Sequence, residues 1–326
     1  MAYMNYLAHY VRRKKMKSSL SVKCADNRIQ KKNLSKYLVG WCMILPSFIM
    51  FVGLTVYPIL WALRFVLYDY DGITKPVFVG LDNILRVITR DPIWWKSVLN
   101  TFKFAFFKLI VEIPLTLVLA AILRGNLKGK GFFRGLYFMP SVLSAAVITF
   151  VFTFILSPQN GFLNQILTKL GIISEPVNWL GTNSAFFWVV FMSIWQVFGH
   201  TCILLLSGMM NIPNDIYESA SMDGATRVKQ FWYMTLPMLA PVFKTILMLS
   251  ITGSLGAFET IFILTGGGPN HATDVMAINI YNQFFAAGTR PAYGYGATLG
   301  VFSSIIIGIV TIIYRRVTAK IDKIYD

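Results

Sequence analysis

Two sets of residues in this 326-residue sequence have types and spacings that could do molecular work. The first lies inside apolar stretches. Ser193, Gln196, Val197 and His200 recur every three or four positions, and so do Ser250, Gly253, Ser254 and Ala257. That spacing puts each quartet on one face of a helix. Polar groups are costly in an apolar surrounding, so such faces suit the passage of a hydrogen-bonding solute, with His200 and Gln196 as its contacts. Small residues also let helices pack closely, and for Ser250, Gly253 and Ser254 both readings stand.

The second set is the segment Ile212–Pro237, IPNDIYESASMDGATRVKQFWYMTLP. It is too long and too apolar for a plain connector of about two to eight residues. Pro213 and Asn214 start a helix, with Asp215 in the first turn where a carboxylate suits the dipole. Gly224 supplies a turn that favours positive φ. Thr226 caps a second helix that presents Phe231 and Trp232, and Pro237 leads onward. A helix–Gly–helix elbow of this kind is a docking knob, with small residues for close approach and aromatics to anchor it in a cleft. Its chemistry is docking, not bond-making. The sequence has no His-Glu-x-x-His metal motif, no Gly-x-Ser-x-Gly nucleophile turn and no phosphate-binding glycine loop. No catalytic residue, cofactor site or metal site is therefore expected. Cys24, Cys42 and Cys202 are too widely spaced for a zinc site or a disulfide framework.

The elements that must hold these residues are membrane helices. Hydrophobic residues make up 56% of the chain and charged residues 13%, against about 25% charged in a soluble domain. Six stretches reach the roughly 20 apolar residues of a span: Leu38–Leu67, Val98–Ile122, Phe133–Leu156, Ala185–Met209, Met238–Leu264 and Tyr293–Tyr314. Pro46 and Pro58 are expected to bend or end the first. The net charge of +16 reads as membrane topology, not as a nucleic-acid surface. Residues 1–37 hold ten Lys and Arg against one acid, and basic residues also crowd 123–132 and 315–326. Segment 68–97 is balanced, with four of each sign. The basic sections face the cytoplasm by this rule, which puts both termini inside and the elbow with them.

The expected organisation is a basic cytoplasmic tail (1–37), a first transmembrane helix (38–67), an extracellular segment (68–97), a transmembrane core (98–314) carrying the elbow (212–237), and a cytoplasmic tail (315–326). The run Arg12-Arg13-Lys14-Lys15 reads as a solvated topology anchor beside the lipid bilayer. The stretch Gly161–Leu170 is expected to form a short helix on the outer side, capped by Gly171. Lys108 and Glu112, four apart in the second span, are expected to neutralise one another. Glu259 falls near the outer end of the fifth span, and Trp195 is expected to pack against neighbours.

The elbow carries a resemblance. Glu218-Ser219-Ala220, Asp223-Gly224-Ala225, Phe231 and Leu236-Pro237 resemble the signature of binding-protein-dependent importer permeases, departing from it at Ser219 and Met234. Leu264-Thr265-Gly266-Gly267-Gly268-Pro269, Thr273, Ile280-Tyr281 and Phe284-Phe285 look like carbohydrate permeases of the maltose and glycerol-3-phosphate type. Gly131-Phe132-Phe133-Arg134, Met139-Pro140-Ser141 and Gly161-Phe162-Leu163-Asn164 are similar too. The resemblance covers roughly 38–320.

It implies an all-α integral membrane protein with the six-helix fold of type I importer permeases, multi-pass in a bacterial-type inner membrane. It also implies a second homologous permease, an ATPase dimer that binds Mg-ATP itself, and an extracellular sugar-binding protein. The ATPase would be met by Glu218, Ser219, Ala220, Asp223, Gly224, Ala225, Phe231 and Pro237. In the maltose-type relative the sugar path is lined at the positions of the two quartets. His200, Gly253, Ser254 and Ala257 differ from it, which suggests a roomier pocket. Two alternatives stay open: an ion-driven transporter using Glu112, Glu259 or His200, and an importer for a non-sugar solute.

Overall fold

The structure, a computed structural model, describes residues 40–125, 128–285 and 290–325, with side chains described as far as 320. The basic N-terminal tail, with Arg12–Lys15 and Cys24, lies outside the described residues. Contacts divide the chain into two units, Met1–Arg64 and Phe65–Asp326.

The first unit holds most of helix α1 (Gly40–Leu67), which passes through Pro46 without ending. Pro58 lacks the N–H that a helical turn needs, and the backbone widens into a π-turn at Val52–Val56 just before it. Near the end Arg64 stacks over the Trp61 ring at 4.5 Å.

In the second unit a two-residue hairpin pairs β1 (Tyr68–Asp69) with β2 (Val77–Phe78), Tyr68 opposite Phe78. Helix α2 (Asp82–Thr89) follows. Helix α3 (Pro92–Arg124) begins six residues before the apolar run, because Pro92 stands at its start and Asp91 accepts the Trp94 N–H at 2.8 Å. Next come α4 (Lys130–Val142), α5 (Ala145–Ile155), α6 (Phe162–Lys169) and α7 (Ala185–Met210). Then follow α8 (Asn214–Met222), α9 (Arg227–Gln230), α10 (Leu236–Leu255) and α11 (Glu259–Thr265). The last helices are α12 (Met276–Phe285) and α13 (Tyr293–Tyr325), which runs well past the expected end at Tyr314.

Among the described residues five helical stretches are long and apolar enough to cross a membrane, or six if a bent pair counts as one. That pair corrects the third expected span. Phe133–Leu156 is not one rod but α4 and α5, meeting at 94°. Three local causes combine there. Pro140 removes a backbone donor, Leu143 is extended, and Ser144 opens α5 by accepting the Val147 N–H at 3.3 Å. The fifth span is also interrupted, at Gly256–Phe258 between α10 and α11.

The core has two halves along α3 and α7. One half packs Ile113, Leu123, Leu205, Met209, Leu239 and Ile246, the other Phe104, Ile148, Met192, Ile261 and Ile278. Where α4 crosses α7, Gly199 lies against the Tyr137 carbonyl so closely that any Cβ would clash with backbone. Beside it Ser141 donates to the Gln196 carbonyl at 3.0 Å and accepts the His200 N–H at 3.2 Å. The Met139-Pro140-Ser141 stretch thus sets where α4 stops and what it grips.

Candidate functional site

A cavity of about 540 Å³ opens between α3, α7, α10 and the start of α11. All eight residues singled out from helical spacing line it: Ser193, Gln196, Val197 and His200 from α7, and Ser250, Gly253, Ser254 and Ala257 from α10 and the break beyond it. Trp195 faces elsewhere, packing on Phe152 at 5.4 Å. The cavity also takes in residues that helical spacing on α7 and α10 did not mark, namely Phe104, Lys108, Thr201, Phe258, Glu259 and Thr260.

The lining groups differ in what they have left to offer. Ser193 donates to the Val189 carbonyl at 2.8 Å, and Ser254 to the Ser250 carbonyl at 2.6 Å, so both hydroxyl protons are committed to their own helices. Gln196 accepts from Thr260 at 3.2 Å through its side-chain oxygen, which leaves its NH₂ free of other described residues. His200 is exposed on the wall. A Cβ added at Gly253 would meet nothing within 4 Å, so this glycine faces open space. Phe104 and Phe258 supply an apolar face, and Phe258 rests on Tyr281 of α12 at 5.2 Å.

Lys108 and Glu112 form the expected pair, Nζ to Oε2 at 2.8 Å, with side chains 8% and 0% exposed. The pair is not confined to its own helix. Thr201 of α7 donates to Glu112 Oε1 at 2.8 Å, and Lys108 donates to Ser254 Oγ of α10 at 3.3 Å. One buried charge pair therefore joins the three helices around the cavity.

The rim formed by the segment 266–276 is tied to the same helix. Asn100 of α3 donates to the carbonyls of His271 and Asp274 at 3.0 and 3.1 Å, and Thr101 accepts the Met276 N–H at 3.0 Å. Burial pushes the Asp274 carboxyl above its usual range, partly offset by His271 at 2.9 Å. Gly266 and Gly267 turn the chain here with φ of +60° and +87°. Farther out, the backbone N–H groups of Thr74 and Ile73, with Arg290 added, hold the Asp71 carboxyl well below the usual carboxylate range. On the short helix α6, Asn164 binds Val177 and Trp179, and Gly171 follows with φ +70°.

The second candidate region, Ile212–Pro237, forms the expected elbow. Helix α8 ends at Asp223, and Gly224 takes φ +76°, which an L side chain adopts only at a cost. The Ala225 N–H bonds back to the Ala220 carbonyl at 2.9 Å. Gln230 clamps the two arms by donating to Ser221 Oγ at 2.8 Å and to the Ala225 carbonyl at 3.1 Å. Thr226 caps α9 as expected, accepting the Lys229 N–H at 3.4 Å. The elbow also grips the bundle: Tyr217 shares a hydroxyl bond with Thr235 at 2.9 Å, and Arg124 at the end of α3 stacks over the Tyr217 ring at 4.0 Å.

Glu218, Ser219, Asp223, Gly224 and Pro237 are exposed on the elbow, Ala225 is half-buried and Ala220 is buried. Phe231 corrects the expectation of an outward anchor. It starts a π-turn, Phe231–Thr235, and turns inward onto the core beside Leu205 and Leu239. The apolar groups that do stand out are Met222, 88% exposed, Val228, 68% exposed, and Trp232.

Residues 112–323 match the family described as "Binding-protein-dependent transport system inner membrane component". The chain is 33% identical over 294 residues to the trehalose/maltose transport system permease protein MalF of Thermococcus litoralis, covering 90% of this chain and 97% of that one. It is 32% identical to the multiple sugar-binding transport system permease protein MsmF of Streptococcus mutans, covering 90% and 99%. In fold it is similar to a chain of a bacterial alginate ABC transporter solved in complex with an alginate pentasaccharide-bound periplasmic protein. The TM-score is 0.75 at 22% identity, over 89% of this chain and 97% of that one.

Proposed function

The chain belongs to the family of binding-protein-dependent transport system inner membrane components, and from that premise we propose that it is one permease subunit of an ATP-driven importer of sugars or oligosaccharides. The observation that carries the reading is the cavity. Eight residues chosen by helical spacing meet around one space of about 540 Å³, with hydrogen-bonding groups beside aromatic faces. A saccharide needs both, and a space of that size lies within the range of small-molecule sites. The sugar class is further supported by the similarity to the trehalose/maltose and multiple-sugar transport permeases.

In this reading a second, homologous permease supplies the other half of the path, and an extracellular binding protein delivers the sugar. Two ATPase copies dock below, one of them receiving this chain's elbow in a cleft, and they, not this chain, bind and hydrolyse Mg-ATP. Glu218, Ser219, Asp223 and Gly224 form the docking edge with Met222 and Val228, while Ala220, Ala225, Phe231 and Pro237 shape and root it. Both termini and the elbow face the cytoplasm, in keeping with the basic residues of 1–37, 123–132 and 315–326.

A tagged pull-down from gently solubilised native membranes tests the assembly by mass spectrometry. A second permease, an ATPase and a solute-binding protein are expected with the chain. Capture of the chain alone, with sugar uptake that follows an ion gradient and not ATP, would overturn the reading in favour of a secondary transporter.

A further inference from the structure

Lys108 is an unexpected member of the cavity wall. A lysine at mid-helix costs about 2.5–3.5 kcal/mol on insertion scales, and charged residues kept inside membrane helices face the bundle interior or a cavity and mark substrate paths. Yet the Lys108 side chain lines that space while only 8% exposed. Its ammonium has three N–H donors. Glu112 Oε2 lies 2.8 Å from Nζ as an ion-pair contact and Ser254 accepts at 3.3 Å, so these two neighbours leave at least one donor for the cavity. The supports are themselves committed. Glu112 is fully buried and held by Thr201 at 2.8 Å, and Ser254 donates onward to the Ser250 carbonyl. The cavity is therefore offered an ammonium donor whose charge is balanced by a buried carboxylate 2.8 Å away.

We propose that Lys108 is a substrate-contacting residue that donates its remaining N–H to a hydroxyl of an uncharged sugar, with Glu112 as the positioning residue that aims the ammonium and neutralises it. The inference rests on the sugar-import reading and adds the substrate class. With Lys108 compensated, the other carboxylate or cation of fixed charge among the described lining residues is Glu259, exposed in the first turn of α11. A carboxylate with no ion-pair partner among the described residues disfavours uronic-acid sugars and leaves neutral ones unaffected.

The test uses the complete importer, co-purified and reconstituted in liposomes, with a panel of neutral di- to tetrasaccharides and one uronate oligosaccharide. Two double variants separate contact from anchoring. Lys108→Met with Glu112→Leu removes the pair and fills its place, a change that buried ion pairs often tolerate. Lys108→Glu with Glu112→Lys keeps an ion pair but sets the donor one turn away from the cavity. The expected result is that wild type moves a neutral sugar in preference to the uronate. Both variants should assemble but move that sugar at least tenfold more slowly per complex.

Wild-type rates in either double variant would overturn the proposal while leaving the importer reading intact. Failure of both to assemble would assign the pair to the fold and overturn it equally. Preferential uronate uptake by wild type would overturn the substrate class. ATP-independent behaviour, or uptake of none of the sugars, would bring down the import reading and this inference together.

Discussion

The cavity and the elbow relate their side chains to the surroundings in opposite ways. In the cavity, polar groups turn inward and are mostly satisfied by their own chain: Ser193 on Val189, Ser254 on Ser250, Thr201 on Glu112. Its shape depends on α3, α7 and α10 meeting at one buried ion pair. In the elbow Glu218, Ser219, Asp223 and Gly224 turn outward while Ala220 and Phe231 root it, and the backbone is fixed over a short reach by Gly224, Thr226 and Gln230. A change of cavity charge should therefore disturb the fold, whereas a change on the elbow face should disturb what the elbow meets.

The largest expected effect comes from Glu112→Leu alone. It strands a buried ammonium, at a cost of about 3–5 kcal/mol, read as a lower thermal unfolding midpoint in detergent. Wild-type stability would mean that the cavity is not interlocked as described. Met222→Glu should do the reverse. At 88% exposure the substitution should leave stability within about 0.5 kcal/mol. ATPase co-purification should fall at least tenfold, because exposed apolar anchors carry much of an interface's energy. Loss of fold instead of partner would break the comparison.

Tyr217→Phe falls between the two regions. It removes the 2.9 Å bond to Thr235 but leaves the ring under Arg124, and should cost about 1 kcal/mol in the same unfolding assay. The smallest effect near neutral pH belongs to Asp71, which lies outside both regions. Its folded pKa is lowered, so its stabilisation is present above the ordinary value of 3.8 and is lost as pH falls through the lower folded one. The unfolding midpoint of wild type should drop more steeply below pH 3.8 than that of Asp71→Asn. Equal slopes would remove Asp71 from the account.

The elbow was legible because its determinants are local. Gly224, Thr226 and the capping residues act within a few positions, and the sequence displays them side by side. Phe231 was misplaced for a local reason as well: a π-turn shifts the phase of every side chain in it, and 3.6-residue spacing does not register that shift. Seven of the eight cavity residues were legible because α7 and α10 keep regular spacing up to Gly256, and Ala257 follows it by one position, in the break. Lys108 was visible as half of a pair, but its place on the wall depends on how α3 meets α10, which periodicity within one helix does not contain. Thr260 arrives only because the chain breaks at Gly256–Phe258. The bend between α4 and α5 was hidden by composition, since both arms are apolar and only Pro140 and Ser144 mark the joint.

Helix α3 touches the His271–Asp274 loop at Asn100, the cavity at Lys108 and the elbow at Arg124. Twelve residues, or about 18 Å of helix at 1.5 Å per residue, separate Glu112 from Arg124. A push on the elbow ring would act on this rod as a torque. With Cα atoms about 2.3 Å from the axis, a roll of about 30° displaces each by about 1.2 Å. That is enough to carry the 2.8 Å Thr201–Glu112 bond past hydrogen-bonding range, while the Lys108–Glu112 pair turns with its helix and stays closed. Pro114 lies between the two points and lacks one backbone bond, so it would absorb part of the twist. The rod would work as a camshaft with a compliant joint, loosening its contacts to neighbouring helices while its own charges stay paired.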